Sequence, residues 1–248
     1  MSDIIKVRDY TVWKLPEMAQ KYLSGSRVAF PGAVLQIEVM LKLIKENSCN
    51  VKNVLDIGCG DGILGATVLD VFPEARGVFL DFSDDMLAAA KNIMAHMSHR
   101  IDLISCDYSD KRWVDKVSDQ APYDVIVSGY SIHHQPDSRK KEIFSEIFAL
   151  LSDGGIFLNV EHVLSRSKWV EKTHNEYFID CLFEHSRSTG SSKTRDNISK
   201  GFYSRIDKES NILAFVEDQC NWLRDTGFVD VDCYFKIFEM AIFGGRKP

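Results

Sequence analysis

Several features are missing from this sequence, and each absence excludes a class of protein. No apolar run approaches the ~20 residues that span a bilayer, and residues 1–18 lack the continuous apolar stretch of a signal peptide. The six cysteines are scattered without a CxxC pair, so we expect a reduced, cytoplasmic protein that does not associate with membranes. Lys and Arg total 30 against 36 Asp and Glu, and this net charge of −6 argues against a nucleic-acid partner.

The middle of the chain alternates strand and helix patterns, without repeats or low-complexity linkers. With 248 residues, 45% of them apolar, the chain is long enough to bury one large core. We predict strands over residues 54–57, 77–80, 101–105, 124–128 and 156–160. Helices are predicted over residues 63–71, from an N-cap at Ser83 to about 97, and over 137–151, closed by Gly154 and Gly155. Strands separated by helices predict a parallel sheet with right-handed crossovers.

The flanking segments add a cover and a closing hairpin. Helices are predicted over residues 18–23, 34–44 and 212–226, and strands over residues 229–235 and 239–243. The polar insert over residues 163–210 is predicted to be a helical lid over one face of the sheet. We therefore expect a single domain with four parts: an N-terminal helical cover (1–50), a cofactor-binding core (51–162), the lid (163–210), and a C-terminal helix and hairpin (211–248).

The strongest motif is VLDIGCGDG, over residues 54–62. A buried strand stops there at a glycine turn, where a ligand can approach the backbone next to the positive end of a helix. Asp56 at the strand end is placed to orient the loop or to accept a hydrogen bond from a cationic group. Asp81 follows Gly58 by 23 residues, close to the roughly 20 expected for an acid that binds ribose hydroxyls. This spacing alone does not distinguish between nucleotide cofactors.

The motif, followed by Asp81, the segment CDYSD (106–110) and a Gly-Gly pair before the fifth strand, resembles the class I S-adenosylmethionine-dependent methyltransferases. The dinucleotide-binding fingerprint GxGxxG is not met, because the third glycine of GCGDGI is displaced. The resemblance implies S-adenosyl-L-methionine as cofactor. It also implies an α/β fold: a doubly wound, Rossmann-like, seven-stranded, mostly parallel sheet with an antiparallel C-terminal hairpin and a helical lid.

The resemblance also implies which residues hold the adenosine part of the cofactor. Asp81 binds the ribose hydroxyls, and Asp107 accepts a hydrogen bond from the adenine amino group. Phe82 and Met86 pack on the faces of the adenine. Cys106 and Tyr108 flank it.

A second group of residues is implied at the methionine end of the cofactor. Gly58 and Gly60 approach it through their backbone. In the N-terminal segment, Tyr22 and Arg27 are placed to contact the methionine carboxylate, although core packing explains them equally well. The remaining members of the predicted cofactor site are Asp56, Cys59, Ser128 and Ser131.

Candidate catalytic residues follow the fourth and fifth strands. Ligands of such sheets bind at the carboxyl ends of the strands, so the segment SGYSIHHQPD (128–137) is expected to face the transferred methyl group. His133, with an ordinary pKa near 6.5, is suited to take a proton from an oxygen or nitrogen nucleophile. Alternatively, His133 and His134 cap the next helix and fill the pocket wall. Glu161 orients the acceptor or pairs with an arginine.

No metal site is expected from these residues. Neighbouring histidines such as His133 and His134 do not point readily at one ion, and no cysteine or carboxylate in the sequence pattern completes a ligand set. His96 and His99 are three residues apart, at what is predicted to be an exposed helix end.

The insert combines basic and aromatic residues. Its charges are those of a solvated lid, or else one arginine binds a carboxylate or phosphate of the acceptor. In the related carboxy-S-adenosylmethionine synthases, an arginine in this region binds the extra carboxylate of the cofactor. Arg195 is the nearest candidate, but its surroundings, KTRDN, depart from that family's pattern.

These observations predict methyl transfer from S-adenosylmethionine to an oxygen or nitrogen atom of a small-molecule acceptor. Two alternatives remain open. One is conversion of the cofactor itself, as in the carboxy-S-adenosylmethionine synthases of tRNA modification. The other is a non-catalytic cofactor-binding subunit. A homodimer also remains open, since small enzymes with such lids often dimerise.

Overall fold

The computed structural model of the protein describes residues 29–48 and 50–248. The helix predicted over residues 18–23, and the candidates Tyr22 and Arg27, lie outside these ranges. Within the described ranges, no helix is long and apolar enough to cross a membrane.

A seven-stranded sheet forms the centre of the described structure, in the order β3-β2-β1-β4-β5-β7-β6. Strands β1 to β5 run parallel to one another, and β7 runs antiparallel to both β5 and β6. The strands are β1 (Asn53–Ile57), β2 (Arg76–Asp81), β3 (Ile101–Ser105), β4 (Tyr123–Gly129), β5 (Leu151–His162), β6 (Val229–Ile237) and β7 (Met240–Arg246). The predicted seven-stranded, mostly parallel sheet with an antiparallel C-terminal hairpin is confirmed.

Helices cover both faces of this sheet. In the described ranges the α-helices are α1 (Ala33–Asn47), α2 (Ile63–Val71), α3 (Asp84–Ile93), α4 (Trp113–Val117), α5 (Asp137–Leu150), α6 (Lys168–Ser188), α7 (Arg195–Tyr203) and α8 (Val216–Thr226). Helices α1, α2 and α3 pack on one face, and α4, α5 and α8 pack on the other. Because both faces are buried, β4 has consecutive apolar residues: Val125 and Val127 point to one side and Ile126 to the other.

The helix predicted over residues 212–226 begins only at Val216, and two further predicted boundaries are wrong for local reasons. The helix after Ser83 ends at Ile93 and continues as a 3₁₀ segment, Ala95–Arg100, in which Met97 leaves the helical conformation. Ser83 occupies the N-cap position, but its hydroxyl has no hydrogen-bond partner within the described structure. Gly154 and Gly155 do not close a helix. They lie inside β5, where the pairing with β4 is irregular and Gly154 adopts a φ of 77°.

The polar insert forms α6 and α7, each begun by a side-chain cap from Ser167 or Thr194. Their apolar residues form a small cluster separate from the two sheet faces: Phe178, Ile179, Phe202 and Met240, the first residue of β7. Helices α6 and α7 therefore pack in a cluster of their own beside the sheet, while Val163, at the start of the insert, belongs to the core of one face. We use the name lid for α6 and α7 with their connections, residues 163–210.

The strand order fixes where a ligand can enter. From β1 the chain builds outward through β2 and β3, then returns to place β4 on the other side of β1. At such a switch point the loops after the two adjacent strands separate and leave a crevice. The register pairs Ile57 of β1 with Leu80 of β2 and Ser128 of β4, so these strands end at the same level.

Candidate active site at the carboxyl ends of the strands

The turn after β1 is built from glycines. Gly58, Gly60 and Gly62 have φ values of 62°, 57° and 79°, in the left-handed region that residues with a side chain adopt only at a cost. At Gly58 there is a second reason, because an added Cβ would lie 1.9 Å from the Oγ of Ser131. The hydroxyl of Ser131 is itself 2.7 Å from that of Tyr108. The glycine turn therefore brings the backbone against the loop after β4.

We expect Gly58→Ala to lower both thermal stability and cofactor affinity. The left-handed backbone costs about 1–2 kcal/mol for alanine, and the new methyl group must also displace Ser131 and its contact with Tyr108. Gly154→Ala is the matched control, since Gly154 has a φ of 77° but open space around the added Cβ. Thermal unfolding and calorimetric titration with S-adenosylhomocysteine measure the two effects. Equal losses in both variants would contradict the predicted steric contribution.

Asp81, the last residue of β2, connects the glycine turn to α3. Its Oδ2 accepts a hydrogen bond from the N–H of Gly60 at 2.8 Å, and its Oδ1 accepts one from the N–H of Ser83 at 2.9 Å. Burial raises the pKa of Asp81, while these backbone donors act in the opposite direction. The carboxylate is held in one orientation at the bottom of a cleft, with further acceptor capacity on each oxygen.

The cleft brings together most of the predicted cofactor residues. Its lining includes Gly58, Cys59, Gly60, Asp81, Phe82, Met86, Asp107, Tyr108 and Ser131, together with Ser83, Gly129, Tyr130, His134 and Gln135. The lining offers two carboxylates, an aromatic side chain, a thioether and the exposed backbone of the glycine turn. These groups suit a ligand with hydroxyl groups, an amino group and a flat purine. This donor set fits S-adenosylmethionine, whose sulfonium also matches the acidic lining.

Three of the predicted cofactor residues lie outside the cleft lining. The Oδ2 of Asp56 accepts a hydrogen bond from the N–H of Gly65, in the first turn of α2, at 2.9 Å. The hydroxyl of Ser128 donates to the carbonyl of Ile57 at 2.8 Å, which ties β4 to β1. Cys106 packs against the core of one sheet face. The structure therefore assigns these three residues contacts within the fold and not in the cleft lining.

A second, larger cavity of about 570 Å³ adjoins the cleft. Tyr130 and His134 line both spaces, and Tyr130 adopts a φ of 52°. Strained backbone in a residue with a side chain is often found at functional sites. Residues of the lid line much of the cavity: Phe178, Leu182, Ser186, Lys193, Asn197, Ile198, Gly201, Phe202, Arg205 and Asp207. The rest of the lining consists of His133, His162, His174, Asn211, Phe30 and Met240.

His133 and Glu161 form a buried pair at this cavity. The Nδ1 of His133 lies 2.5 Å from Oε1 of Glu161, and the carboxylate also accepts the backbone N–H groups of His133 at 3.0 Å and His162 at 2.9 Å. Burial lowers the pKa of His133 and raises that of Glu161 to about 7. The backbone donors favour the carboxylate form of Glu161, which then accepts the Nδ1 proton and fixes the orientation of the ring.

Two of the alternatives raised from sequence are wrong, the pairing of Glu161 with an arginine and the capping of the next helix by the histidines, whereas both histidines do line the cavity wall. Glu161 pairs with His133 and not with an arginine. The histidines belong to a 3₁₀ turn, Ile132–His134, and do not cap α5, whose N-cap is Pro136 without a side-chain cap. Instead, the Nδ1 of His134 lies 3.3 Å from the carbonyl oxygen of Ser210, at the end of the lid.

Comparison with known families agrees with this geometry. Residues 54–155, from β1 into β5, match a family model described as "Methyltransferase domain". Over this segment the chain is similar to the class I S-adenosylmethionine-dependent methyltransferases. S-Adenosylmethionine is accordingly the cofactor that fits this chain.

Two curated relatives and one solved structure illustrate the similarity. "Malonyl-[acyl-carrier protein] O-methyltransferase 2" of Ilyobacter polytropus is 32% identical over 141 residues, which are 56% of this chain and 51% of that protein. "Ribosomal RNA large subunit methyltransferase G" of Shewanella halifaxensis is 28% identical over 152 residues, 59% of this chain and 36% of that protein. The chain thus spans about half or less of these relatives. Human N-acetylserotonin methyltransferase, solved in complex with the cofactor, has a TM-score of 0.61 at 14% identity, covering 99% of this chain and 60% of that chain.

Sequence reasoning missed part of the larger cavity. His174, on α6, is buried, and burial lowers its pKa to about 4. Glu239, in the turn between β6 and β7, lies 2.8 Å from the Nε2 of His162. Neither residue belongs to a motif, because the lid and the hairpin meet only in the folded chain. Arg195 does not face the cavity: it pairs with Glu176 at 2.8 Å and Asp180 at 2.6 Å on the outside of the lid.

Proposed function

We propose that the protein transfers the methyl group of S-adenosylmethionine to an oxygen or nitrogen atom of a small-molecule acceptor bound in the 570 Å³ cavity. The observation that carries the proposal is the buried His133–Glu161 pair at the cavity wall, beside the cofactor cleft. A cavity of this size lies within the range of about 300–1,000 Å³ typical of small-molecule sites. Residues of the lid supply much of its lining.

The residues of the chain would contribute in two ways. The cleft around Asp81 would hold the cofactor, which supplies an electrophilic methyl group on sulfur. The cavity would align the acceptor atom behind that methyl group, and alignment alone is worth up to about 7–11 kcal/mol in favourable cases. As the bond from carbon to the acceptor forms and the carbon–sulfur bond breaks, His133 would take the acceptor proton, with Glu161 stabilising the resulting imidazolium.

The rival in which the cofactor itself is converted has less support. Its candidate residue, Arg195, is occupied by Glu176 and Asp180 and lies outside the cavity lining. Mass spectrometry of the nucleotide that copurifies with the protein tests this rival directly, because a carboxylated cofactor is heavier. We expect S-adenosylmethionine or its demethylated product.

Transfer of a radioactive methyl group tests the proposal. The protein is incubated with S-adenosyl-[methyl-³H]methionine and separate panels of phenols, carboxylic acids and amines, with ribosomal RNA and acyl-carrier protein as macromolecular comparisons. We expect label in at least one small-molecule panel. Label only in RNA or carrier protein would overturn the small-molecule acceptor, and cofactor binding without any transfer would favour the non-catalytic subunit.

A further inference from the structure

Three side chains from distant parts of the chain meet at the wall of the cavity. His162 ends β5, His174 lies on α6 of the lid, and Glu239 lies in the turn between β6 and β7. One ligand atom from each lies within 4.8 Å of the others. The Oε2 of Glu239 is 2.8 Å from the Nε2 of His162 and 3.6 Å from the Nε2 of His174. Among the described residues, this is the one group of three such side chains arranged closely enough to hold a metal ion.

The imidazole of His174 is an independent indication of a ligand. Only 2% of this side chain is exposed, yet its Nδ1 has no hydrogen-bond partner in the described structure. Its Nε2 faces Glu239 at 3.6 Å, beyond hydrogen-bond distance. Buried polar groups are nearly always bonded. A purely structural network would account for the hydrogen bond between His162 and Glu239, but it leaves His174 buried without a bond.

We propose that His162, His174 and Glu239 bind a divalent transition-metal ion of the zinc class. Two imidazoles and one carboxylate suit such an ion, whereas Mg²⁺ and Ca²⁺ prefer oxygen ligands. Bonds of about 2.0–2.2 Å to zinc place tetrahedral ligand atoms roughly 3.3–3.5 Å apart. The three side chains reach that spacing through small rotations, because two of the three contacts are already 2.8 and 3.6 Å.

Three protein ligands leave the fourth position of a zinc site open. His162 and His174 both line the cavity, so the open position faces the space in which the acceptor would bind. The ring centroid of His133 is 5.8 Å from that of His162. If the proposed function holds, on which this step rests, the acceptor is an oxygen compound whose hydroxyl or carboxylate oxygen completes the coordination of the metal beside His133.

Metal binding is measured on the full chain without cofactor or acceptor, so its result is independent of the proposed function. The protein is treated with a chelator and then titrated with Co²⁺, which shows visible absorption bands in a tetrahedral site, and with Zn²⁺ in competition with a chromophoric chelator. We expect one metal ion per chain. We also expect a loss of affinity of at least 100-fold in His174→Ala and in Glu239→Gln, and no change in the exposed His99→Ala variant.

Two controls separate the outcomes. Unchanged binding of S-adenosylhomocysteine by His174→Ala shows that this variant is folded, and Glu239→Gln provides a second, isosteric test. An absence of Co²⁺ uptake by the unmodified protein at micromolar metal, or equal uptake by His174→Ala, overturns the metal site. A bound metal whose removal leaves the rate of methyl transfer unchanged overturns the acceptor-oxygen coordination. Metal binding without methyl transfer instead overturns the proposed function and leaves the site standing.

Discussion

Replacing Asp81 by alanine is expected to weaken cofactor binding by about 100-fold or more. A hydrogen bond to a charged group is worth roughly 1.5–3 kcal/mol, and two ribose hydroxyls would bind this one carboxylate. Each 1.4 kcal/mol is about a factor of ten in affinity. The change also removes the acceptor for the backbone N–H groups of Gly60 and Ser83, so the glycine turn and the start of α3 lose their common anchor.

Calorimetric titration with S-adenosylhomocysteine measures this loss. Asp85→Ala is the matched control. Asp85 is exposed and lies in the first turn of the adjacent helix, and its replacement by alanine removes the same charge. Asp81→Asn keeps one oxygen acceptor and should lie between the two in affinity. Thermal unfolding of all three variants reports any loss of structure. If Asp81→Ala bound the ligand as tightly as Asp85→Ala, Asp81 would have no part in the cofactor site.

The second large effect is expected at His133, and it should appear in the rate. Removing a positioned general base typically costs about 10²–10⁴-fold. Alanine is a poor choice here, since it would leave the buried carboxylate of Glu161 without its side-chain partner. His133→Asn retains an N–H donor toward Glu161 and removes the basic nitrogen. We therefore expect kcat to fall by about two to four orders of magnitude in this variant.

The initial rate of S-adenosylhomocysteine formation, with whichever acceptor turns over, measures this effect. Cofactor affinity should stay within a few-fold of the unmodified protein, because Asp81 and the glycine turn are untouched. His99→Ala, an exposed histidine far from the cavity lining, serves as the control for loss of an imidazole. A His133→Asn variant that retained full kcat would assign His133 to the cavity wall alone.

The sheet could be predicted from the sequence because each parallel strand ends at a polar or glycine residue or is followed directly by one. The run DVIVS is apolar throughout its interior, as expected where helices cover both faces, and it coincides with the centre of β4. The break of the helix after Ile93 could not be read in this way, because Met94 and Met97 continue the apolar pattern while the backbone tightens. The early start of β5 at Leu151 depends on a glycine-assisted irregularity against β4.

Part of the candidate site could likewise be predicted from the sequence, and part could not. Asp81, Asp107 and the glycine turn follow directly from strand ends, so their convergence can be predicted from topology. The pairing of His133 with Glu161 could not be predicted, because an arginine was an equally good partner for a buried carboxylate on chemical grounds. No sequence pattern indicates that His174 and Glu239 are neighbours, because only the packing of the lid against the β6–β7 turn brings them together.

The lid has a small apolar cluster of its own, distinct from the two large clusters on the sheet faces. If the lid moves away from the sheet, Phe178, Ile179 and Phe202 separate from Met240. This movement exposes far less apolar surface than unfolding of the sheet does, so it costs less free energy. We therefore expect two levels of cooperativity, in which the lid opens at a lower free energy than the sheet unfolds. Amide protons in α6 and α7 are accordingly the ones whose exchange with solvent reports how often the cavity opens.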